Sequence, residues 1–438
     1  MSSIDYAARR SDLAKRMRAD GGGVLVLFAA ATYLRNGDVE HDYRQDSDFF
    51  YLTGFDEPES VLVFDADTEQ GSLHLFVRER DPAREIWDGP RAGVEGAVSK
   101  HGAARAFAIK ELQTELPKLI ENKDRLVYAW GSSAPNDAVV QGAISSLRRR
   151  FRAGVWPPTV TVDPGVYLHA MRSIKSEQEV DLMREAAALT HVGHVACMRA
   201  AKDGMAEYEL DSILLSAFRA GGSERVAYAS IVGSGPNATI LHYRAGNRRM
   251  RDGELVLIDA GSEYGGYASD VTRTFPVSGT FSAEQRAIYE IVLKAEEEAI
   301  QMVRPGATID DVHNRAVRVL CEGLIELGLL QGKVDDVIAN ESYRRFYMHR
   351  TSHWLGMDVH DVGSYAVRGQ QRTFEPGMVL TVEPGIYIAA DEATVDARWR
   401  GIGVRIEDDI LVTASGFDNL TASIPKTVAA VEAACGHT

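Results

Sequence analysis

Cysteine is scarce in this chain, and its positions exclude two common uses of the residue. The 438 residues contain three cysteines, Cys197, Cys321 and Cys435, an odd number at wide spacing. A disulfide framework needs an even set, and a structural zinc site needs closely spaced pairs. The sequence therefore predicts reduced thiols, as in a reducing compartment such as the cytoplasm.

Long apolar runs and an excess of positive charge are also lacking. The longest apolar stretch, residues 24–31, is far short of the ~20 residues that span a bilayer. The first twenty residues are charged throughout and contain no apolar stretch of signal-peptide type. Forty-eight Lys and Arg residues against 63 Asp and Glu residues give a net charge of −15. This balance argues against nucleic acid or a membrane as partner, and we expect a cytoplasmic location.

The chain has the composition and length of a globular protein with two domains. Hydrophobic residues make up 45% and charged residues 25% of it. The first part alternates short apolar runs with segments of helical spacing, which predicts an α/β domain. The segment VWPPTVTVDPGVYLHAMR is rich in helix breakers. We therefore predict domains over residues 1–172 and 173–438.

The second part predicts long helices and two similar strand units. A capping-box pattern at 176–179 precedes an amphipathic segment over 180–201, and further helices are predicted over 282–303 and 308–330. Two stretches share one pattern, in which a strand that carries a carboxylate is followed by a turn and by a second strand that carries a carboxylate. They are ELVLIDAG…SDVTRTF and MVLTVEPG…VRIEDDI. Two such halves facing each other would bring four carboxylates together in an α/β (α+β) fold.

These four acids occupy apolar surroundings. Asp259 ends the run 255–258, and Asp270 follows 11 residues later, across a turn. Glu383 and Glu407 are predicted inside apolar strands. An unpaired buried charge is costly, so either Lys and Arg or bound metal ions must compensate these acids. Each acid alone is more often a cap, turn or ion-pair residue, but four acids in two matching units predict a shared site.

A histidine-rich segment lies between the two units. His349, His353 and His360 fall within twelve residues. Histidine is a common metal ligand and general acid/base, although a single one can be an ordinary core residue. Four carboxylates with one imidazole favour Mn²⁺, with Fe²⁺, Co²⁺ and Zn²⁺ as alternatives. They also balance two divalent ions, and ions ~3.5–4 Å apart can share a hydroxide, so the pattern predicts a two-metal hydrolase.

The order of these motifs resembles the five-ligand pattern of the pita-bread metallopeptidases, which include methionine aminopeptidase, prolidase and aminopeptidase P (Xaa-Pro aminopeptidase). The similarity to aminopeptidase P covers nearly the whole chain, through YRQDSDFFYLTGFDEPESVLVF, MRSIKSEQEV and RGIGVRIEDDILVT. It implies a smaller amino-terminal α/β domain followed by a pita-bread catalytic domain with pseudo-twofold halves. It also implies five metal ligands: Asp259, Asp270, His353, Glu383 and Glu407.

The resemblance implies roles for individual residues as well. Asp270 and Glu407 would bridge both metals, and Glu383 would also move a proton between the water and the leaving nitrogen. The remaining site residues would contact the substrate or support the ligands. By the resemblance, His242 lines the substrate site, His360 hydrogen-bonds the substrate during attack, and His349 lies at the mouth of the site. Arg405, two residues before Glu407, is predicted to support the acidic ligands, and Tyr387 is a candidate substrate contact. Structural roles remain the alternative for all five of these residues.

The implied activity is release of an amino-terminal residue that precedes proline in a peptide. The alternatives are a prolidase, which cleaves Xaa-Pro dipeptides with the same metals, and a pita-bread module that binds peptides or proteins without catalysis. The resemblance also implies a homo-oligomer, a dimer or tetramer, in which Trp87 contributes to the site of a neighbouring subunit. Arg350 follows His349 where relatives often carry glycine, so we expect this cation to alter subsite preference.

Overall fold

The computed structural model describes residues 4–436, which divide by contacts into two compact units, 4–171 and 172–436. The ends of the predicted domain ranges, residues 1–3 and 437–438, lie outside the described residues. Throughout the described part of the chain, no helix combines the length and the apolar character that crossing a membrane requires.

The amino-terminal unit is built on a sheet whose central strand is buried. Its strands are Val24–Phe28 (β1), Leu34–Asn36 (β2), Val39–Glu40 (β3), Val61–Asp65 (β4), Ser72–Val77 (β5), Arg105–Ala108 (β6), Arg125–Val127 (β7) and Val160–Val162 (β8). The order across the sheet is β6-β5-β4-β1-β7-β8, while β2 and β3 form a separate hairpin. β1 pairs antiparallel with β4 and parallel with β7. The longest apolar stretch of the sequence therefore begins with a strand that lies inside the sheet.

The first unit also contains helices, and at least two of them pack on the sheet through apolar residues. The helices are Tyr6–Ala19 (α1), Ser47–Thr53 (α2), Pro82–Asp88 (α3), Gly93–His101 (α4), Leu112–Ile120 (α5), Ala134–Arg148 (α6) and Gly165–Ser173 (α7), the last of which continues into the second unit. Leu116 of α5 and Val140 of α6 pack with Val24 and Val63 in one core cluster. Strands and helices alternate along the chain, which confirms the predicted α/β class.

Four of the six described helices of the second unit begin at a Ser or Thr side chain that caps them. The six helices are Glu177–Ala200 (α8), Glu207–Ala220 (α9), Ala283–Ile300 (α10), Ile309–Glu326 (α11), Val334–Ala339 (α12) and Val428–Cys435 (α13). At α8, the Ser176 hydroxyl accepts from the Glu179 amide, and the Glu179 carboxylate accepts from the Ser176 amide. α11 ends four residues before the predicted limit because Gly328, at φ +74°, turns the chain.

Antiparallel strands complete this unit. They are Arg225–Val226 (β9), Ile231–Ser234 (β10), Leu255–Asp259 (β11), Ser262–Tyr264 (β12), Tyr267–Ala268 (β13), Thr272–Pro276 (β14), Ala366–Val367 (β15), Gln370–Gln371 (β16), Val379–Val382 (β17), Gly385–Ile388 (β18), Ile402–Arg405 (β19), Asp408–Thr413 (β20) and Gly416–Asn419 (β21). They form the sheets β10-β11-β14, β13-β12-β9, β15-β16, β17-β20-β21 and β18-β19.

The second unit repeats one plan twice. The pair α8 and α9 precedes strands β9–β14, and the pair α10 and α11 precedes strands β17–β21. Val256, Ile258 and Phe275 are buried in the first half, and Leu380 and Ile410 are buried in the second. This is the arrangement of two matching halves that the two strand–acid units predict.

Candidate metal centre

The first two predicted ligands lie at neighbouring strand ends. Asp259 is the last residue of β11, and Asp270 lies between β13 and β14. Antiparallel pairing of β11 with β14 sets Asp259 opposite Thr272, two residues beyond Asp270. The hydroxyl of Tyr228 donates to one carboxylate oxygen of each aspartate. The two carboxyl groups therefore lie close together, as the hairpin predicts.

The two glutamates lie in links between strands, which corrects the expectation that they sit inside strands. Glu383 separates β17 from β18, where Pro384 has no N–H to contribute to a ladder. The Glu383 amide instead donates to the Thr351 carbonyl at 2.8 Å. Glu407 separates β19 from β20, and its amide donates to the Thr272 carbonyl at 3.1 Å. This last bond joins the two halves and brings Glu407 beside Asp270.

His353 completes a compact group of donor atoms. Asp270, His353 and Glu407 each offer one ligand atom, and these atoms lie within 4.8 Å of one another. His353 Nε2 is 3.3 Å from Asp270 Oδ2 and 3.7 Å from Glu383 Oε1. His353 Nδ1 donates to the Trp354 carbonyl at 3.0 Å, which turns Nε2 toward the carboxylates. Metal-binding histidines are commonly oriented in this way by a backbone carbonyl.

We call the five side chains Asp259, Asp270, His353, Glu383 and Glu407 the acidic cluster. Burial, reinforced by neighbouring carboxylates, raises the pKa of Glu407 well above its usual value. Burial raises the pKa of Glu383 to about 7, and that of Asp259 is raised as well. The carboxyl groups thus resist ionising together without added positive charge. A buried set of four carboxyl groups and one imidazole fits divalent metal ions as the compensating charge.

One guanidinium already faces the acidic cluster. Arg405 Nη2 donates to Asp259 Oδ2 at 2.6 Å, and its Nε donates to Thr272 Oγ1 at 2.9 Å. The Thr272 hydroxyl in turn donates to Glu407 Oε2 at 2.7 Å. Arg405 is buried. Its guanidinium contacts Asp259 directly and Glu407 through the Thr272 hydroxyl, so one side chain positions two of the acids. The arrangement accords with the supporting role predicted for Arg405.

Tyr387 and His349 extend this network. Arg405 Nη1 donates to the Tyr387 hydroxyl at 3.0 Å, and that hydroxyl lies 2.8 Å from His349 Nε2. His349 Nδ1 donates to the Arg350 carbonyl at 2.8 Å. Burial and the charge of Arg405 lower the pKa of His349 to about 3, so its imidazole is neutral. Tyr387 is buried, and its substrate contact remains a prediction.

The other predicted histidines lie close to the cluster and are exposed. The ring of His360 is 4.4 Å from that of His353, and partial desolvation of the ring together with the neighbouring His353 lowers the pKa of His360. His242 lines a cavity of about 480 Å³ together with Asp259, His353 and Glu383. This volume lies in the range of ligand-binding pockets. The structure therefore brings all the predicted site residues into one region of the second unit.

The histidine-bearing loop is held by two cations of the motif MRSIKSEQEV. Arg172 donates to Asp361 at 2.6 Å, and Lys175 donates to the same carboxylate at 2.9 Å. All three side chains are buried. A Cβ on Gly356 would approach Asp361 Oδ2 to 2.2 Å, so glycine is needed there. This motif, one of those that carry the resemblance, therefore fixes the loop that carries His353.

Two further residues of the site were not predicted. Tyr228 contacts both aspartates, and burial together with those acids raises its pKa well above the usual value. Asp409 accepts from the Ser269 hydroxyl at 2.9 Å and from the Asp270 amide at 3.2 Å, which fixes the turn before β14. The run of three acids Glu407–Asp409 is a signal that could have indicated Asp409. No spacing pattern in the sequence marks Tyr228.

Known proteins match the chain over both units. Residues 181–414 match the model of metallopeptidase family M24, and residues 6–128 match that of the aminopeptidase P N-terminal domain. The Xaa-Pro aminopeptidase of Escherichia coli (strain K12) is 45% identical over 435 residues, which cover 99% of this chain and 98% of that protein. The chain belongs to metallopeptidase family M24.

Solved structures of the family share the whole architecture. The aminopeptidase PepP of Pseudomonas aeruginosa is 49% identical, with a TM-score of 0.96 and 99% of both chains covered. A zinc-substituted aminopeptidase P of Escherichia coli in complex with product is 44% identical, with a TM-score of 0.95 and 99% of both chains covered. The predicted pita-bread fold and the resemblance to aminopeptidase P are confirmed, and membership of family M24 implies divalent metal ions.

Proposed function

We propose that this chain is an Xaa-Pro aminopeptidase, which hydrolyses the bond between an amino-terminal residue and a following proline in peptides. The observation that carries the proposal is the acidic cluster, in which Asp270 and Glu407 lie beside His353. Asp259, His353 and Glu383 of this cluster line a cavity of about 480 Å³. The names of the Escherichia coli and Pseudomonas aeruginosa relatives support the aminopeptidase activity, and that of the Escherichia coli protein supports the proline preference.

The proposed cofactor is a pair of divalent metal ions, Mn²⁺ in the first place and Zn²⁺, Co²⁺ or Fe²⁺ as alternatives. The five members of the acidic cluster would hold these ions, and the resemblance implies that Asp270 and Glu407 would contact both of them. The proximity of Asp270, Glu407 and His353 supports this assignment. When bound, such ions polarise a carbonyl oxygen and lower the pKa of water.

Glu383 is proposed to carry the proton that the reaction moves. It lines the cavity and lies 3.7 Å from His353 Nε2, so its carboxylate can reach a water and a peptide bound there. The nitrogen of an Xaa-Pro bond is a tertiary amide without N–H, and it must gain a proton to leave. Glu383 would take that proton from the attacking water and deliver it to the proline nitrogen.

The histidines are proposed to hold the peptide. His242 is exposed in the cavity, and His360 is exposed beside His353, so both can reach a bound substrate. His349, neutral and fixed by Tyr387, lines the same cavity and can hydrogen-bond the peptide without adding charge. Arg405 is proposed to act through Asp259, which it keeps oriented.

A peptide panel tests the activity. The enzyme loaded with Mn²⁺ should cleave Ala-Pro-Gly and release alanine, and it should cleave Ala-Ala-Gly much more slowly. Cleavage confined to the dipeptide Ala-Pro would identify a prolidase instead. Binding of Ala-Pro-Gly without cleavage, with Mn²⁺, Zn²⁺ and Co²⁺ each supplied, would identify a non-catalytic module. The rates of cleavage with the three metals in the same assay rank the metals as cofactors.

We propose that the amino-terminal unit contributes to the formation of a homo-oligomer. Ile86 and Trp87 of α3 are 81% and 83% exposed, an unusual position for two large apolar side chains. We propose that α3 contacts a neighbouring copy in a dimer or tetramer, where Trp87 contributes to that copy's site. Sedimentation of Trp87→Ala, with its activity on longer peptides, tests this, since unchanged assembly and unchanged activity would contradict it.

The proposal includes the predicted domains and location. Residues 1–172 form the amino-terminal aminopeptidase P-type domain, and residues 173–438 form the catalytic domain. The three cysteines are free and buried, as suits a reducing compartment, and we propose a cytoplasmic location.

A further inference from the structure

The cavity beside the acidic cluster has a second part with different chemistry. Away from the cluster it is lined by Ile309, Asp310, Arg350, Tyr365 and Gln371. Asp310 lies in the first turn of α11, and its carboxylate pairs with the guanidinium of Arg350. The Arg350 side chain is 57% exposed and that of Asp310 is 37% exposed, whereas the aspartates of the cluster are buried. This pair therefore stands at the solvent-facing side of the cavity.

Two arginines line the cavity, and they differ in what they can still bind. Arg405 is buried, and its donors contact Asp259, Tyr387 and Thr272. Arg350 reaches Asp310 through Nη2, and most of its side chain faces solvent. A guanidinium carries five N–H donors and can hold two carboxylates. Arg350 can therefore offer charge to a ligand in the cavity, and Arg405 cannot.

We propose, on the basis of the function proposed above, that Arg350 determines specificity by binding a carboxylate of the peptide beyond the proline. The amino-terminal residue of the substrate is held at the acidic cluster, so the rest of the peptide extends toward the solvent-facing side of the cavity. The exposed guanidinium of Arg350 attracts a carboxylate that reaches this side of the cavity. Asp310 competes for the same guanidinium and limits the effect.

Two groups of a peptide can supply this carboxylate. One is the carboxyl terminus of a tripeptide, and the other is an acidic side chain at the third position. Steady-state kcat/KM for Ala-Pro-Gly, Ala-Pro-Gly-amide and Ala-Pro-Glu-amide separates them. We expect the wild-type enzyme to prefer at least one acidic peptide over the neutral amide by about fivefold, the size typical of an exposed ion pair. Arg350→Gln should bring that ratio close to one, and Asp310→Asn should increase it.

Arg318→Gln is the matched control. Arg318 also lies on the surface, 43% exposed, and pairs with one aspartate, Asp335. Among the described residues it stands outside those that line the cavity, so its variant should keep the wild-type ratio. A wild-type ratio of one, or a ratio unaffected by Arg350→Gln, would overturn the proposal. Absence of cleavage of all three peptides would instead count against the aminopeptidase activity, so the two failures are distinguishable.

Discussion

Two groups of buried charge lie side by side in the catalytic unit, joined by the consecutive residues Glu407 and Asp408, and they are compensated differently. In the second group, which we call the balanced cluster, Arg273 donates to Asp408 at 2.6 Å. Lys426 pairs with Asp408 at 2.6 Å and with Glu296 at 2.7 Å. Two protein cations thus face two protein acids.

The pKa values of Asp408 and Glu407 follow this difference, whereas burial and the neighbouring Asp408 raise the pKa of Glu296 in spite of Lys426. Burial opposes the ionisation of Asp408, but Arg273 and Lys426 outweigh it and lower the pKa of that carboxyl. Burial of Glu407 and the nearby carboxylates instead raise its pKa, and Arg405 offsets only part of this. Neighbouring residues with the same chemistry therefore differ because of the cations around them. A buried acid with its own cations is structural, and a buried surplus of acids indicates a site for an external cation.

Removal of a ligand should have the largest effect. Asp270→Asn keeps the shape of the side chain and removes a charge from the centre of the acidic cluster. Substitution of groups that merely support ligands costs ~10–100-fold in metal affinity or activity, so we expect a loss of about 100-fold or more here. Metal content and hydrolysis of Ala-Pro-Gly are the measurements. Asp181→Asn, which removes an exposed acid, is the control. Wild-type metal content in Asp270→Asn would contradict the assignment.

Disruption of the balanced cluster should cost stability and spare metal binding. Lys426→Met leaves Asp408 and Glu296 without one of their cations, and breaking a buried ion pair costs about 3–5 kcal/mol. Urea unfolding should show this loss while the folded protein retains its metal. Arg286→Gln, at an exposed pair, should cost less than ~1 kcal/mol. If Lys426→Met kept normal stability and lost its metal, the balanced cluster would be part of the metal site, which would contradict the distinction between the two clusters.

Arg405→Lys should weaken metal binding to an intermediate degree. Lysine keeps the charge but cannot reach Asp259, Thr272 and Tyr387 together, as the guanidinium does. We expect metal affinity to fall by about 10–100-fold, the usual range for residues that orient ligands. Titration of the metal-free variant with Mn²⁺ measures this. Equal affinities of variant and wild type would mean that Arg405 does not position the ligands.

The smallest of the predicted effects is the change of stability with pH in the metal-free protein. Burial disfavours the charged form of His353, but Asp270 and Glu383 outweigh it and raise its pKa from 6.5 to about 9. The folded state then binds more protons than the unfolded state between these values, so stability falls as pH rises through this window. The melting temperature of metal-free protein should decline from pH 6.5 to 9 and hold steadier with Mn²⁺, which needs neutral His353. A rise over that window without metal would refute the pairing.

The sequence predicted those parts of the site that short-range patterns describe. Asp259 ends an apolar run, and the capping box of Ser176 and Glu179 marks the start of α8, so both were found. The apolar residues before Glu383 predict that it lies inside a strand, and they outweigh the opposing signal of Pro384. That proline breaks the ladder and leaves the glutamate in a link between strands.

Contacts between distant residues escaped prediction. Tyr228 reaches Asp259 across 31 residues, and Lys426 reaches Glu296 across 130. No periodicity or spacing connects such positions, because the connection is made by the packing of whole strands and helices. The balanced cluster was therefore unpredicted, and so was the distinction between Glu407 and Asp408, which look alike in sequence and differ in their neighbours.

The metal content of the purified protein tests the central claim most directly. The protein is loaded with Mn²⁺, desalted, and measured by inductively coupled plasma mass spectrometry beside Asp270→Asn and Lys426→Met. We predict two ions per chain for the wild type and for Lys426→Met, and a clear loss for Asp270→Asn. Retention of no metal by the wild type, with Mn²⁺, Zn²⁺ and Co²⁺ all tried, would contradict the claim that the acidic cluster is a metal centre.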